Sequence, residues 1–417
     1  MSNSHAFLRT RGRIGLAAIL GLIAVLGLTL LPVAADAAGK KKSKGTKLTV
    51  MSRNLYLGAD LTPALQANTI DQAINAGGEI VNQVHATKFP SVRAASIAAE
   101  IKKRKPDIVG LQEAALWRTG PVNLAAALGT PVATQVDPQG GDFLADLLGA
   151  LNSGGKKASA SKKGKKKGVR YTLAVVKPEF DFELPVNDDG NGNGLSGADH
   201  NERLTMRDAI LVRKGVGIKF SGASTGTFDT LLRVTLAGGA RTVDVTRGWA
   251  ALNVKARGRN LHVVDAHLEA FDSQGSNTTN LGTTLGRGDI RAAQATQLVT
   301  PQPNGAVRGG KIPTILIGDM NSDDDTVQPN GDRNAYMALL AGGFTERSTA
   351  NPLGCCLNDP FLVGGPNSIN DFDHQVDHVL ANRNKIKFVK GFVDGRAPVN
   401  GLFPSDHAAL TSVLKIK

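Results

Sequence analysis

Short apolar runs that end on a polar residue recur along this chain. Lys47–Leu55 (KLTVMSRNL), Asp107–Ala114 (DIVGLQEA), Arg170–Val176 (RYTLAVV), Asp208–Lys214 (DAILVRK), Trp249–Ala256 (WAALNVKA) and Asn260–Leu268 (NLHVVDAHL) have the length and content of strands. So do Ile312–Met320 (IPTILIGDM), Gln375–Asn382 (QVDHVLAN) and Ala408–Ile416 (AALTSVLKI). Two stretches carry helical spacing instead. Ser91–Lys103 (SVRAASIAAEIKK) is closed by Lys105-Pro106, because the residue before proline avoids helical backbone. Gly288–Leu298 is the second. This mixture predicts an α/β or α+β fold in which helices cover sheets around one long core. No repeat at a solenoid period is present.

The polar residues at the strand ends are the next signal. Glu113 closes one run; Asp265, His267 and Glu269 end another; Asp319 and Asn321 follow Ile317-Gly318. Asp377 and His378 lie within a strand, and Asp406 and His407 stand just before the last one. Each alone has an ordinary role, since strand-end Asp and Asn cap turns and a lone His is usually a satisfied polar group. Five such sites on one chain, rich in carboxylates, amides and imidazoles, suit an oxygen-ligated Mg²⁺ or Mn²⁺ with acid–base chemistry. Asp323, Asp324 and Asp325 read as loop acids outside that set.

Composition narrows the class. At 417 residues, 41 % hydrophobic and 5 % aromatic, the chain is globular, not disordered. Arg9, Arg11 and Arg13, the uncharged run Ile14–Val33 and Ala35-Asp36-Ala37 together read as a secretory signal over residues 1–37, with an uncleaved membrane anchor as the alternative. The formal charge of +13 is unevenly placed. Five lysines lie in a linker over residues 38–47 and seven in Lys156–Gly168, and the body without these and the signal carries −1. Both tracts are low-complexity; they solubilise the chain or attract polyanions such as nucleic acid, teichoic acid or anionic lipid. Cys355 and Cys356 are adjacent and alone, so there is no disulfide framework. A strained bond between neighbours, free thiols and intermolecular pairing all stay open, and none points to catalysis.

Taken in order, SRNL, LQEA, DAHLEAF, IGDMNS, QVDHVL and PSDHAAL resemble the endonuclease/exonuclease/phosphatase superfamily, of deoxyribonuclease I-like fold, over roughly residues 48–417. The resemblance implies a four-layer sandwich: two mixed sheets face to face, helices outside, and a cleft where the strands deliver their polar ends. By position it implies that Glu113 is the main Mg²⁺ ligand, with Asn54 holding metal or phosphate and Asp406 helping with metal. His267 would bond a phosphate oxygen, Asp319 would orient or deprotonate the attacking water, and Asn321 would fix its geometry. His407 would stabilise the phosphorane, set by Asp377. Tyr171 and Arg207 fall where members carry phosphate-contacting residues. Mn²⁺ or Ca²⁺ could replace Mg²⁺. Asp265-Ala266 stands where many members have Asn-Thr and Met320 where Phe is common, and neither exchange is expected to touch the chemistry.

Between about residues 128 and 201 runs a Gly/Lys/Asn-rich excursion, expected as loops over one edge of the cleft. Within it, Gly192-x-Gly194-x-x-Gly197 lacks the strand and helix of a dinucleotide site. Asp189-x-Asn191-x-Asn193-Gly194 opens like a calcium loop, but its twelfth position is His200. The expectation is an exported, monomeric phosphodiesterase, first a nuclease. A sphingomyelinase or phospholipase C-type enzyme or a phosphatase is the alternative, the former wanting an exposed apolar loop that no aromatic cluster signals. A secreted binding protein without catalysis would be expected to lose Glu113, Asp319 or His407, and all are present. No protein partner can be inferred.

Overall fold

The computed structural model describes residues 45–127, 129–153, 168–272, 276–323, 332–350, 352–382 and 385–417. The secretory signal, most of the lysine linker, the tract Lys156–Lys167, Asp324 and Asp325 lie outside them. Two large mixed sheets form the centre. In the first, Thr46–Asn54 runs parallel to Ile108–Gln112 and antiparallel to Ala409–Ile416, and His200–Arg213 continues the sheet on the far side of Ile108–Gln112. In the second, Arg259–His267 runs parallel to Thr314–Asp319, flanked by Gly248–Ala256 and Asp377–Ala381, both antiparallel.

The inner faces of the sheets meet in a layer of aliphatic side chains. Leu48, Val50, Ile108, Ile210 and Leu410 from one sheet pack on Leu252, Val263, Ile315, Ile317 and Val379 from the other. Each such side chain contributes about 1.5–3 kcal/mol when fully buried. The outer face of the first sheet is covered by helices Ile70–Thr87, Ala94–Arg104 and Phe143–Asn152, and that of the second by Asp289–Leu298 and Asp332–Ala341. The result is the four-layered α/β/β/α sandwich. No described helix is long and apolar enough to cross a membrane.

Both anticipated helices form. Ala94–Arg104 follows a π turn at Phe89–Arg93 and stops at Lys105, whose φ of 53° is left-handed. The helices Ile70–Thr87, Phe143–Asn152 and Asp332–Ala341 were not anticipated. Ile70–Thr87 begins at Thr69, whose side chain accepts from Gln72 N, and its Gly77-Gly78 pair hid the periodicity. Those glycines serve packing, since a Cβ on Gly78 would sit 1.8 Å from Asn187 O. The first strand starts at Thr46, inside the expected linker.

The excursion differs most from expectation. It supplies helix Phe143–Asn152 and the 16-residue strand Tyr171–Val186, paired with His200–Arg213, and is therefore not mainly loop. Its Gly/Asn-rich part, Asn187–Asp199, packs on helix Ile70–Thr87 through Asn75–Asn193 and Asn82–Asp188 bonds.

Glu202, on the adjoining strand His200–Arg213, is buried with neither carboxylate oxygen hydrogen-bonded. Burial lifts its pKa to about 7 despite His200 nearby. Because the folded value exceeds the unfolded one, the native state binds the extra proton, and stability falls as pH rises from about 4.5 to 7. Glu202→Gln is expected to be more stable than the parent at pH 8 by about 2 kcal/mol, and little different at pH 4.5, in urea titrations at the two pH values.

Candidate active site

Topology brings the polar strand ends together. Parallel strands finish at one edge, and their antiparallel neighbours start there. Asn54 is in register with Gln112, His267 with Asp319, and Asp319 with Asp377, while Ser52 faces Leu410 just after His407.

Glu113 leaves its strand at once, with a left-handed φ of 53°. This turns its carboxylate back, so that Oε2 accepts from Leu57 N at 2.7 Å and Oε1 from Asn54 Nδ2 at 3.0 Å. The same Asn54 amide donates to Asp319 Oδ2 at 2.9 Å. Asp319 Oδ1 accepts from Asn321 N at 2.9 Å. Asn321 is also left-handed, and its own amide donates to Leu268 O at 3.0 Å, which locks the strand exit. Burial raises Asp319 to about 6, with His407 pulling it down and Asp377 pushing it up.

His407 Nδ1 lies 2.7 Å from Asp377 Oδ2, and its Nε2 faces Asp319 Oδ2 at 3.6 Å. Burial lowers the imidazole pKa, but Asp406, Asp319 and Asp377 outweigh it and hold the ring well above the usual range, so it is a cation. His267 is the opposite case. The Arg247 guanidinium, which can only donate, lies 3.0 Å from His267 Nδ1. That nitrogen is therefore an acceptor and Nε2 carries the proton. Burial, then Arg247 and His407, push this ring well below the usual range. Its Nε2 has no hydrogen-bond partner among the described residues and stands 3.6 Å from Asp319 Oδ2. The site pairs one charged imidazole with one neutral one.

Asp406 is close enough that its charge helps burial raise Glu113. Ligand atoms of Glu113, His267 and Asp319 lie within 4.8 Å of one another. Carboxylates of raised pKa are the surroundings a hard divalent cation neutralises, so the carboxylates of Glu113, Asp319 and Asp406 fit one.

Two expected phosphate contacts do not join the site. Tyr171 is at the opposite end of its sheet, its hydroxyl donating to Pro106 O at 2.8 Å before strand Ile108–Gln112 begins. Arg207 is near, but its guanidinium donates to Ala114 O, Ala115 O and Asp142 Oδ1, at 2.8, 3.1 and 2.5 Å. It braces the turn after Glu113 instead of facing the cleft. Asp323 lies in the loop after the strand, as expected, and is buried there.

Other residues joined the site unannounced. The Ser52 hydroxyl lies 3.2 Å from Asp377 Oδ1 and 3.3 Å from Gln112 Oε1, and Gln112 Nε2 donates to Asp265 Oδ1 at 2.6 Å. Asp265 is thus linked through Gln112 and Ser52 to the His407–Asp377 pair. Gly110 makes room for it, as a Cβ there would be 2.2 Å from Asp265 Oδ1. Behind His267, Arg247 is a buried cation among Glu269, Glu179, Glu113 and Asp208. Burial raises Asp208 to about 7. An aspartate inside the apolar run of Asp208–Lys214 was its one sequence signal; Arg247 had none.

The model of the endonuclease/exonuclease/phosphatase family matches residues 74–407. The chain belongs to that family. Endonuclease/exonuclease/phosphatase hydrolases act on phosphoester bonds and generally depend on a divalent metal. Similar solved structures include a family member from Beutenbergia cavernae, at 18 % identity over 89 % of this chain and 72 % of the other, with TM-score 0.47. Bacteroides thetaiotaomicron mannosyl-6-phosphatase matches at 19 % over 88 % and 99 %, TM-score 0.43. D. rerio TDP2 complexed with single strand DNA product matches at 15 % over 88 % and 99 %, TM-score 0.43. No curated protein matches the sequence.

Proposed function

We propose that this chain is an exported, Mg²⁺-dependent phosphodiesterase whose first substrate is nucleic acid. The observation that carries the chemistry is the convergence of the His407–Asp377 pair with Asp319 and the proton-bearing His267 Nε2 on one cleft edge. Glu113, Asn54 and Asp406 would hold the cation, which supplies stabilisation of the charge that develops on the phosphate. Asp319 sits where it can take a proton from the attacking water, and Asn54 and Asn321 fix its carboxylate. His267 donates to a phosphate oxygen, and the His407 cation opposes the negative charge of the phosphorane. Export rests on residues 1–37, and nucleic acid on the lysine tracts, which add attraction to a polyanion without selecting its sequence.

A second reading is favoured by one surface. Phe361, Val363, Ile369 and Val399 are exposed apolar side chains, on segments that backbone bonds Leu357 N–Asp406 O and Phe403 N–Leu362 O tie to the stretch before His407. Bridges Val363–Leu402 and Val399–Leu402 tie two of these positions together through Leu402. This corrects the impression that the chain lacks an apolar contact loop, and it suits a lipid phosphodiester. The test is turnover of plasmid DNA, RNA, sphingomyelin vesicles and bis-p-nitrophenyl phosphate by the mature chain with Mg²⁺, Mn²⁺, Ca²⁺ or EDTA. DNA or RNA cleavage that EDTA abolishes is expected. Preferential cleavage of sphingomyelin would move the reading to lipid, and no metal-dependent turnover of any of the four would end it.

A further inference from the structure

Cys355 and Cys356 lie directly against the catalytic imidazole. Their sulfurs are 3.6 and 3.7 Å from His407 Nε2, the nitrogen left free by Asp377. The backbone fixes them there from both sides. Gly354 N and Cys355 N donate to His374 O at 2.8 and 3.1 Å, and His374 N donates to Cys355 O at 2.8 Å. Toward the catalytic strand, Ala408 N donates to Gly354 O at 2.7 Å and Leu357 N to Asp406 O at 3.2 Å. One ligand atom from each of Cys355, Cys356 and His407 falls within 4.8 Å of the others. The two cysteines are joined as a disulfide.

We propose that the reduced pair and His407 Nε2 form a binding site for a thiophilic divalent cation such as Zn²⁺, and that its occupancy shuts the catalytic centre. Two thiolates and one imidazole are a donor set that Zn²⁺ takes, with a fourth position left for water. Asp377 on Nδ1 is the carboxylate that orients a ligating imidazole. The site is distinct in chemistry from the carboxylate set around Glu113, because hard Mg²⁺ disfavours sulfur. While the disulfide is intact its sulfurs are not thiolates, so the site exists only in the reduced chain. A trialkylphosphine supplies the two electrons. The S–S bond breaks, phosphorus gains the oxygen of a water molecule, and that water's two protons go to the sulfurs. Metal binding then releases both thiol protons and the proton on His407 Nε2, since the ring is otherwise a cation. Cys355 is buried and Cys356 half-buried, so the pair is partly open to a small cation. Inhibition rests on the reading of His407 as catalytic; binding does not.

The experiment titrates the mature chain, reduced with phosphine and then in its oxidised state, with Co²⁺ as a coloured stand-in for Zn²⁺. The reduced chain should develop a thiolate-to-cobalt charge-transfer band that Zn²⁺ abolishes. The oxidised chain and the Cys355→Ser/Cys356→Ser variant should show none. In parallel, Mg²⁺-supported hydrolysis by the reduced chain should fall about tenfold when Zn²⁺ is about ten times its Kd, and hydrolysis by the double variant should not. Absence of the band, or the same band in the serine variant, overturns the site while leaving the proposed activity standing. A band with undiminished hydrolysis overturns the shut-off and, with it, the role given to His407 Nε2. Should the double variant fail to fold, iodoacetamide-blocked wild type takes its place.

Discussion

His407→Ala is expected to lower kcat on a phosphodiester by about 10³-fold and to lower the urea midpoint as well, because three carboxylates lose the cation beside them. The imidazole is a cation held by three carboxylates, and only its Nδ1 is bonded by Asp377. Removing it takes away the positive charge at the centre and a buried side chain that offsets those carboxylates. Asp377→Asn should cost less, about 10²-fold, since the ring stays but loses the partner that fixes its orientation. Steady-state kinetics with bis-p-nitrophenyl phosphate measures both. Full activity in His407→Ala would remove the mechanism proposed here.

The largest effect on stability is expected at Arg93, a site that no catalytic argument would select. Its guanidinium is wholly buried and donates to Pro404 O at 2.9 Å, to Tyr56 O at 3.0 Å, to Leu55 O and to Thr87 Oγ1 at 3.4 Å. It also lies 5.1 Å from the centroid of Phe89 and 5.5 Å from that of Tyr56. Burial lowers its pKa to about 9, still charged at neutral pH. Arg93→Met would leave three buried carbonyls without donors, at a cost of about 3–5 kcal/mol in urea unfolding. Arg93→Lys should recover less than half, because an ammonium lacks the planar fork that spans two loops. A loss under about 1 kcal/mol for Arg93→Met would show that those carbonyls find other donors. The loops Arg93 joins are the ones that carry Asn54 and His407, so activity should fall along with stability.

The difference between these two residues explains what could be read in advance. Asn54, Glu113, His267, Asp319, Asp377 and His407 stand at or beside the ends of apolar runs, and strand direction then brings them to one edge. That depends on local pattern, which a sequence carries. Arg247 reaches His267 only because Gly248 pairs with His267, and Arg93 serves two loops far apart in the chain. Register and long-range closure are products of the assembled core and leave no local mark. The resemblance puts Tyr171 at the site by position in RYTLAVV, and the antiparallel pairing of that strand with His200–Arg213 puts it at the other end. Helix Ile70–Thr87 was lost because Gly77 and Gly78 answer to a neighbour, not to helix propensity.

The pairing of Thr46 with Ile416 has a consequence of its own. The first and last strands lie side by side, and these two residues sit at the edge away from Asn54 and His407. The hairpin Gly248–His267 also turns at that far edge, between Ala256 and Arg259. A circular permutant that joins the ends there and reopens the chain at Ala256–Arg259 would keep every catalytic side chain on its strand. Connectivity and chemistry are separable in this molecule: the order in which the chain visits its strands can be rewritten, provided the direction of each strand is kept.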